Sequence, residues 1–357
     1  MELRTFIEVG LAALVKSVLL AFVLLTSFAY MTLAERKVVA WMQVRIGPNR
    51  VGPFGFFQPL ADGLKLFLKE ELIPSGADRV MFVIAPIITV IPALVILAVV
   101  PFGPPIELFG FKVPLVVADI NVGLLYILSV ASIAVYGIVL AGWSSNNKYA
   151  MLGGLRSSAQ MVSYEIALGL SIVGPILLAG SMSVQDITLS QTRLWNVVLQ
   201  PVGAAVFLIA VLAEVNRAPF DMPEAEQELT AGYHTEYSGM KFALFFMAEY
   251  IKMVAVSAIG TALFFGGYLG PFINEISPWV INGLPVGSWL AGLLGVTYFS
   301  LKTIFFLFCM LWLRATLPRL RYDQLMRFGW KVMLPLALAN IVITALAVAL
   351  FPGLLQG

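Results

Sequence analysis

The stretch VMFVIAPIITVIPALVILAVVPFGPPI, residues 80–106, contains no charged side chain. A helix that crosses a membrane needs about 20 mostly apolar residues, because the hydrocarbon core is ~30 Å thick and each helical residue rises about 1.5 Å. Working outward from this stretch, further charge-free runs cover 17–34, 120–147, 166–185, 194–213, 253–274, 276–301 and 332–357. With a charge allowed inside some spans, the pattern predicts helices near 10–33, 80–101, 115–141, 160–181, 197–215, 241–265, 289–312 and 332–352. Barrel strands would instead alternate every second residue over ~10-residue segments. The fold class expected is an all-α polytopic membrane protein with eight transmembrane helices.

Composition agrees. Of 357 residues, 60% are hydrophobic and 12% are charged, against roughly 25% charged in a soluble domain. A mean hydropathy of +0.93 exceeds what a globule with a solvated exterior can bury. Cys309 and His234 are the only cysteine and histidine. Iron–sulfur, zinc and bis-His haem sites built from this chain alone are therefore excluded, and no metal site is expected. A net charge of +2 is too near neutral for a nucleic-acid partner. The chain carries no Walker loop, GxGxxG fingerprint or HExxH motif, and a single histidine leaves no plausible Ser-His-Asp set.

Lys and Arg fix the expected orientation. Sixteen lie on one set of loops, from Arg36 to Lys331, while Arg4, Lys16, Lys112 and Arg193 lie on the other. This bias puts the first set inside, and eight spans then put both termini outside. No repeat, low-complexity tract or soluble domain interrupts the chain, so residues 1–357 read as a single membrane domain. Its inner loops are expected at 35–79, 142–159, 215–240 and 313–331. Pro86 and Pro92 fall inside the second span, where each removes a backbone hydrogen bond.

Two inner loops are more than connectors. In 35–79, Glu35-Arg36-Lys37 sets charges at the membrane surface, and the Gly- and Pro-rich RIGPNRVGP (45–53) imposes a non-helical path. Beyond it, Leu60, Leu64, Phe67, Leu68 and Leu72 recur at helical spacing opposite Asp62, Lys65, Lys69 and Glu70. Such a segment lies flat in the interface on its apolar face. It either covers the bundle or frames an opening from the bilayer. In 215–240 with Glu214 before it, Glu214, Asp221, Glu224, Glu226, Glu228 and Glu236 face only Arg217, with His234 nearby. Clustered carboxylates disfavour one another's ionisation and titrate as a set.

The acids continue into the spans, where an ionisable group costs at least a few kcal/mol and is a functional hypothesis by default. Glu165 and Glu249 are expected about two turns inside their helices. Lys252, three residues after Glu249, is placed to pair with it. Lys302 lies deep in the seventh span, where it either binds a backbone carbonyl, snorkels or serves function. Glu165, Glu214 and Glu249 together read as proton-handling groups.

Four stretches carry a resemblance: AERKVVAWMQVRIGPNRVGPFGFFQPLADGLKLFLKE (34–70), GGLRSSAQMVSYE (153–165), AEVNRAPFDMPEAEQELTAGYHTEYSGMKFALFFMAEY (213–250) and LRATLPRLRYDQLMRFGWK (313–331). In order on eight spans, they resemble the H subunit of respiratory complex I, the proton-pumping NADH:quinone oxidoreductase, called subunit 1 in mitochondria. The resemblance implies a bacterial inner (plasma) membrane, or the mitochondrial inner membrane if the chain is organellar. It implies that the inner loops dock a peripheral redox arm, with antiporter-like and small membrane subunits alongside. Quinone (ubiquinone or menaquinone) is the implied substrate, while NAD, FMN and iron–sulfur clusters belong to partner subunits. Arg36, Asp62, Lys65 and Arg314 match family positions near the quinone tunnel. Glu165, Glu214, Asp221, Glu224, Glu226, Glu228 and Glu249 match its acidic route. Glu35, His234, Lys252 and Lys302 are further polar candidates without an implied task. Two other readings stay open at this point: a membrane subunit of an energy-converting hydrogenase or formate hydrogenlyase, and a stand-alone proton or cation transporter.

Overall fold

The computed structural model describes residues 2–108, 111–222, 232–273 and 286–351. Nearly all of this is helix: α1 Glu2–Met42, α2 Gln58–Leu68, α3 Arg79–Val95, α4 Gly123–Ser144, α5 Lys148–Ala179, α6 Val184–Leu189, α7 Asn196–Leu199 and α8 Pro201–Glu214, then α9 Gly239–Phe264, α10 Val286–Thr316, α11 Tyr322–Phe328 and α12 Leu334–Leu350. A π-helical turn, Gly329–Met333, joins the last two. The one sheet among the described residues is a hairpin in which β1 (Ile106–Leu108) pairs antiparallel with β2 (Phe111–Val113), Glu107 opposite Lys112. Among the described residues, seven helices are long and apolar enough to cross a membrane, and α8 is a shorter apolar one. The protein is an all-α polytopic membrane protein.

Three boundaries differ from the hydropathy reading. The fourth span begins at Lys148 rather than near 160, capped by the Asn147 side chain, which accepts from the Tyr149 amide at 2.9 Å. Its first three turns carry Lys148 and Arg156 and so fall below an apolar threshold, yet small residues let them pack. A Cβ on Gly142 would meet the Ala150 carbonyl oxygen at 2.7 Å, and one on Gly153 would meet the Gly232 Cα at 2.6 Å. Residues 148–159 are therefore helix, and the α4–α5 connection is only 145–147. The surface helix α2 ends at Leu68, so Leu72 lies beyond it in extended chain, where its amide donates to Ser238 Oγ. After Pro92, α3 tightens into a 3-10 turn at Ile96–Val99.

The fifth span is the most consequential difference. Gln200 separates α7 from α8, which stops at Glu214 after 14 residues, a rise of about 21 Å against a ~30 Å hydrocarbon core. From there the chain continues as irregular backbone, and every residue of 214–222 is buried. Non-helical chain at such depth is tolerated only where protein satisfies its polar groups. All four terminal carbonyls of α8, normally orphaned, have partners. Val211 and Leu212 accept from the amides of Val215 and Arg217, Ala213 from the Asn216 amide and Gln160 Nε2, and Glu214 from Lys252 Nζ. Gln160 Nε2 also donates to the Phe220 carbonyl at 2.6 Å, and the Leu320 amide to that of Pro219 at 3.1 Å. Thus α5 and the α10–α11 connection pin this segment in place.

The packing closes around it. Helix α5 packs against α4, α8 and α12, and α9 packs against α3, α1 and α10. Helix α9 is the most enclosed of the long spans and α1 the least. Over the inner end, Tyr237 stacks on Phe82 at 4.0 Å and donates to its carbonyl. Burial pushes the Tyr237 phenol up to about 12, so it stays a donor there.

Candidate functional site

Six ionisable side chains gather in two neighbouring groups, four around Glu35 and Arg217 and a Lys252–Glu214 pair, between the ends of α1, α8 and α10 and the middle of α9. Glu35, near the inner end of α1, accepts from Arg217 Nη1 at 3.0 and 3.2 Å and also from Arg314 Nη1. Arg217 has almost no solvent exposure (2%). Its Nε lies 2.6 Å from Glu249 Oε1, and its guanidinium stacks 4.4 Å from the Tyr250 ring centroid. On α9, Lys252 Nζ donates to Glu214 Oε1 at 2.5 Å and to the Glu214 carbonyl at 3.1 Å. Among the described residues, three acids (Glu35, Glu249, Glu214) thus face three cations (Arg314, Arg217, Lys252). Buried charge survives because each member lies in an ion pair.

The expected Glu249–Lys252 pair is not what forms. Although three residues apart on one helix, the two side chains take separate partners: Glu249 takes Arg217, and Lys252 reaches Glu214, 38 residues earlier in the chain. Lys252 wins more this way, since one ammonium then satisfies both a buried carboxylate and a helix-terminal carbonyl.

Glu165 is different in kind. With α5 starting at Lys148, it lies near the centre of a 32-residue helix rather than two turns in. It accepts from Ser132 Oγ on α4 and is close enough to Glu214 to act on it electrostatically. It has no cation partner among the described residues. A small cavity of about 40 Å³, lined by Thr89, Asn216, Glu214, His234, Glu249 and Lys252 among others, joins the two inner ion pairs. That is room for about three or four water molecules at ~10–15 Å³ each. Three nine-tenths-buried atoms of its lining residues have no protein partner among the described residues: Glu214 Oε2, Asn216 Oδ1 and His234 Nδ1. His234 is ringed by Tyr233, Phe242 and Phe246, and this burial pushes its imidazole down to about 4. It is neutral at physiological pH.

The remaining sequence candidates fall in three places. Asp221 lies in the buried segment after α8 and is held by Arg319 Nη2 at 3.0 Å. At the surface, Arg36 Nη1 on α1 meets Asp62 Oδ2 on α2 at 2.6 Å, Gln58 supports Asp62 at 3.1 Å, and Lys65 is exposed. Helix α2 rests against α1 and α9 and leaves Leu60, Leu64, Phe67 and Leu68 exposed beside that charged pair. Far away, Lys302 donates to the carbonyls of Phe265, Gly267 and Leu269 at 2.8, 3.0 and 2.8 Å, with Trp195 beneath it. It binds backbone carbonyls and does not touch the acidic network. Glu224, Glu226 and Glu228 lie outside the described residues. Two cations that the sequence reading did not single out prove central, Arg217 and Arg319. The signal was there in Arg217, the lone base among the loop's acids.

Charge-balanced pairs abutting a cavity, with one unpaired acid beyond, suit movement of protons rather than bond chemistry. No group of His, Cys, Asp and Glu able to hold a metal occurs among the described residues. A family model described as NADH dehydrogenase matches residues 15–345. The chain is 52% identical over 331 residues to an NADH-quinone oxidoreductase H subunit of Geobacter metallireducens, covering 93% of this chain and 94% of that relative. The corresponding H subunit of Thermomicrobium roseum is 51% identical over 347 residues, covering 93% and 96%. An H subunit of Koribacter versatilis is 52% identical over 355 residues, covering 95% and 98%.

Proposed function

The chain belongs to the NADH dehydrogenase family as an H subunit of NADH-quinone oxidoreductase, and from that premise we propose that it couples quinone reduction to proton translocation. As such a subunit it is a multi-pass membrane component of complex I and works with the other subunits of that oxidoreductase. It supplies no redox centre, and NAD, FMN and iron–sulfur clusters belong to its partners. One membrane domain in the bacterial plasma membrane presents its inner loops as the docking surface of the peripheral arm. Quinone reaches that arm past α1, α2 and α9, where Arg36, Asp62 and Lys65 border an apolar, membrane-facing strip and Arg314 lies deeper.

The observation that carries the proton role is the balance of the network. From Glu35 to Glu214 every acid has a cation, so adding one proton anywhere displaces a partner. Glu165 beyond it has, among the described residues, only the Ser132 hydroxyl and exchanges a proton without breaking an ion pair. A change of charge near Arg314 and Glu35 is therefore passed along as a change of partners, and Asp221 with Arg319 holds the loop that carries Arg217. Proton handling by groups that are paired in this way needs no large motion, only room for water, which the cavity provides.

The test uses the assembled complex in sealed vesicles. Glu165→Gln and Glu214→Gln should keep NADH oxidation by an artificial electron acceptor while quinone-linked proton movement falls about a hundredfold or more, the range of one lost proton-transfer group. Wild-type proton-to-electron ratios in both would end the proposal. Arg36→Ala should raise the apparent KM for quinone and leave the artificial-acceptor rate alone. Unaltered quinone kinetics would remove α1 and α2 from the entry path.

A further inference from the structure

Lys252 has a geometry that a static neutralising role does not use. Its ammonium donates to the Glu214 carboxylate and carbonyl, and its third hydrogen has no protein partner among the described residues. Lys252 lines the cavity, and so do Glu214 on one side and Glu249 on the other. Glu249 sits three residues before it on α9, the spacing at which helical side chains meet at ~5–6 Å between Cβ atoms. One lysine therefore stands between two carboxylates, bound to one and within reach of the other, beside an enclosed space. We infer that Lys252 is a mobile cation of the coupling route, exchanging the Glu214 carboxylate for that of Glu249 each time Glu214 takes up a proton and returning when the proton leaves.

The exchange balances. An arriving proton stays on Glu214 and makes it neutral; Lys252 remains an ammonium throughout and carries its charge a few ångströms. Glu249 then lies between Arg217 and Lys252, which a carboxylate with four lone-pair positions accommodates, and Arg217 keeps Glu35. The other titratable groups lining this space are Tyr233 and the neutral His234 from the inner loop; Glu165 from α5 does not line it and acts on Glu214 electrostatically from beyond. Thr89 from α3 and Asn216 from the segment after α8 complete its polar wall. His234 Nδ1 and Asn216 Oδ1, lacking partners among the described residues, offer an ammonium or a water acceptors along the way. Lys suits such a part because its ammonium is a point charge on a flexible stem, whereas a planar guanidinium grips a carboxylate with two parallel bonds.

The inference rests on the proton-coupling reading above, and the experiment separates the two. Lys252→Arg, Lys252→Met and Glu214→Gln are compared in the intact complex, reading the artificial-acceptor rate, quinone turnover, KM for quinone and protons moved per NADH. Lys252→Arg keeps the charge and the pairing, so a fixed neutralising residue would be rescued in full. A moving one would not: turnover should drop about tenfold with KM for quinone unchanged, reflecting the tighter guanidinium–carboxylate grip, and Lys252→Met should be slower still. Should Lys252→Met fail to assemble, Lys252→Arg decides alone. Wild-type turnover in Lys252→Arg, together with lost coupling in Glu214→Gln, would overturn the mobile cation and leave the proton route standing. Wild-type coupling in Glu214→Gln would remove the route itself and this inference with it.

Discussion

Two lysines sit within the bundle, and the protein treats them in opposite ways. Lys302, on α10 beside the outer end of α9, is received by three main-chain carbonyls and the face of Trp195. Lys252, near the middle of α9, is received by a carboxylate. Carbonyl dipoles complement a cation and the C-terminal end of a helix, but they neither gain nor lose protons, so Lys302 is a permanent cap that ties α10 to the chain leaving α9. A carboxylate has two protonation states, so the partner of Lys252 changes its charge. Burial alone therefore does not identify function in a membrane protein. The titratability of the partner does.

The largest expected effect falls on the inner region. Arg217→Met removes the buried cation between Glu35 and Glu249 and leaves Glu35 to Arg314, and breaking a buried pair from one side costs about 3–5 kcal/mol. It should abolish coupled quinone reduction and lower the yield of assembled complex, measured by blue-native gels and vesicle acidification. In the outer region, Lys302→Met leaves three carbonyls short of a donor, a loss on the order of 1–3 kcal/mol. Its mark should be a lower melting temperature with unchanged turnover per assembled complex. An assembled Lys302→Met complex that turned over quinone without moving protons would break the contrast.

Much of the architecture was legible before any geometry. Apolar run lengths located the spans, and the inner motifs contain Glu35, Glu214, Arg217, Glu249 and Arg314, five of the six ion-paired residues. What stayed illegible was of two kinds. Helix α5 begins twelve residues earlier than hydropathy suggests because Gly142 and Gly153 allow backbone to approach backbone, a packing effect that no apolar window registers. Ion-pair partners were hidden because sequence offers only local pairs. Glu249 and Lys252 look matched at three residues apart, yet Glu35 and Arg217, 182 residues apart, define the network. That Glu165 faces a hydroxyl where its neighbours face cations is likewise a fact of three dimensions.

The smallest effect concerns pH. His234 titrates at about 4 when buried against an ordinary value of about 6.5, so its neutral form is the one the fold favours. Its contribution to stability is complete above pH 6.5 and is lost as pH falls toward 4. His234→Leu should therefore flatten the acid side of a thermal-inactivation profile between these limits, with little change at pH 7.5. An unchanged acid limb would show that the inner acids alone set it, sharpening the contrast with the outer cap, which is built from carbonyls.

The shortness of α8 has an electrical consequence. Were its Pro201 end to meet the outer hydrocarbon boundary, a rise of about 21 Å would leave Glu214 roughly one third of the way in from the opposite face. A charge delivered to it from that face would cross about a third of the transmembrane voltage. At 2.3 kcal/mol per elementary charge per 100 mV for the full drop, this is about 0.8 kcal/mol. On the proposed proton route, the occupancy of that position would then follow how strongly the membrane is energised.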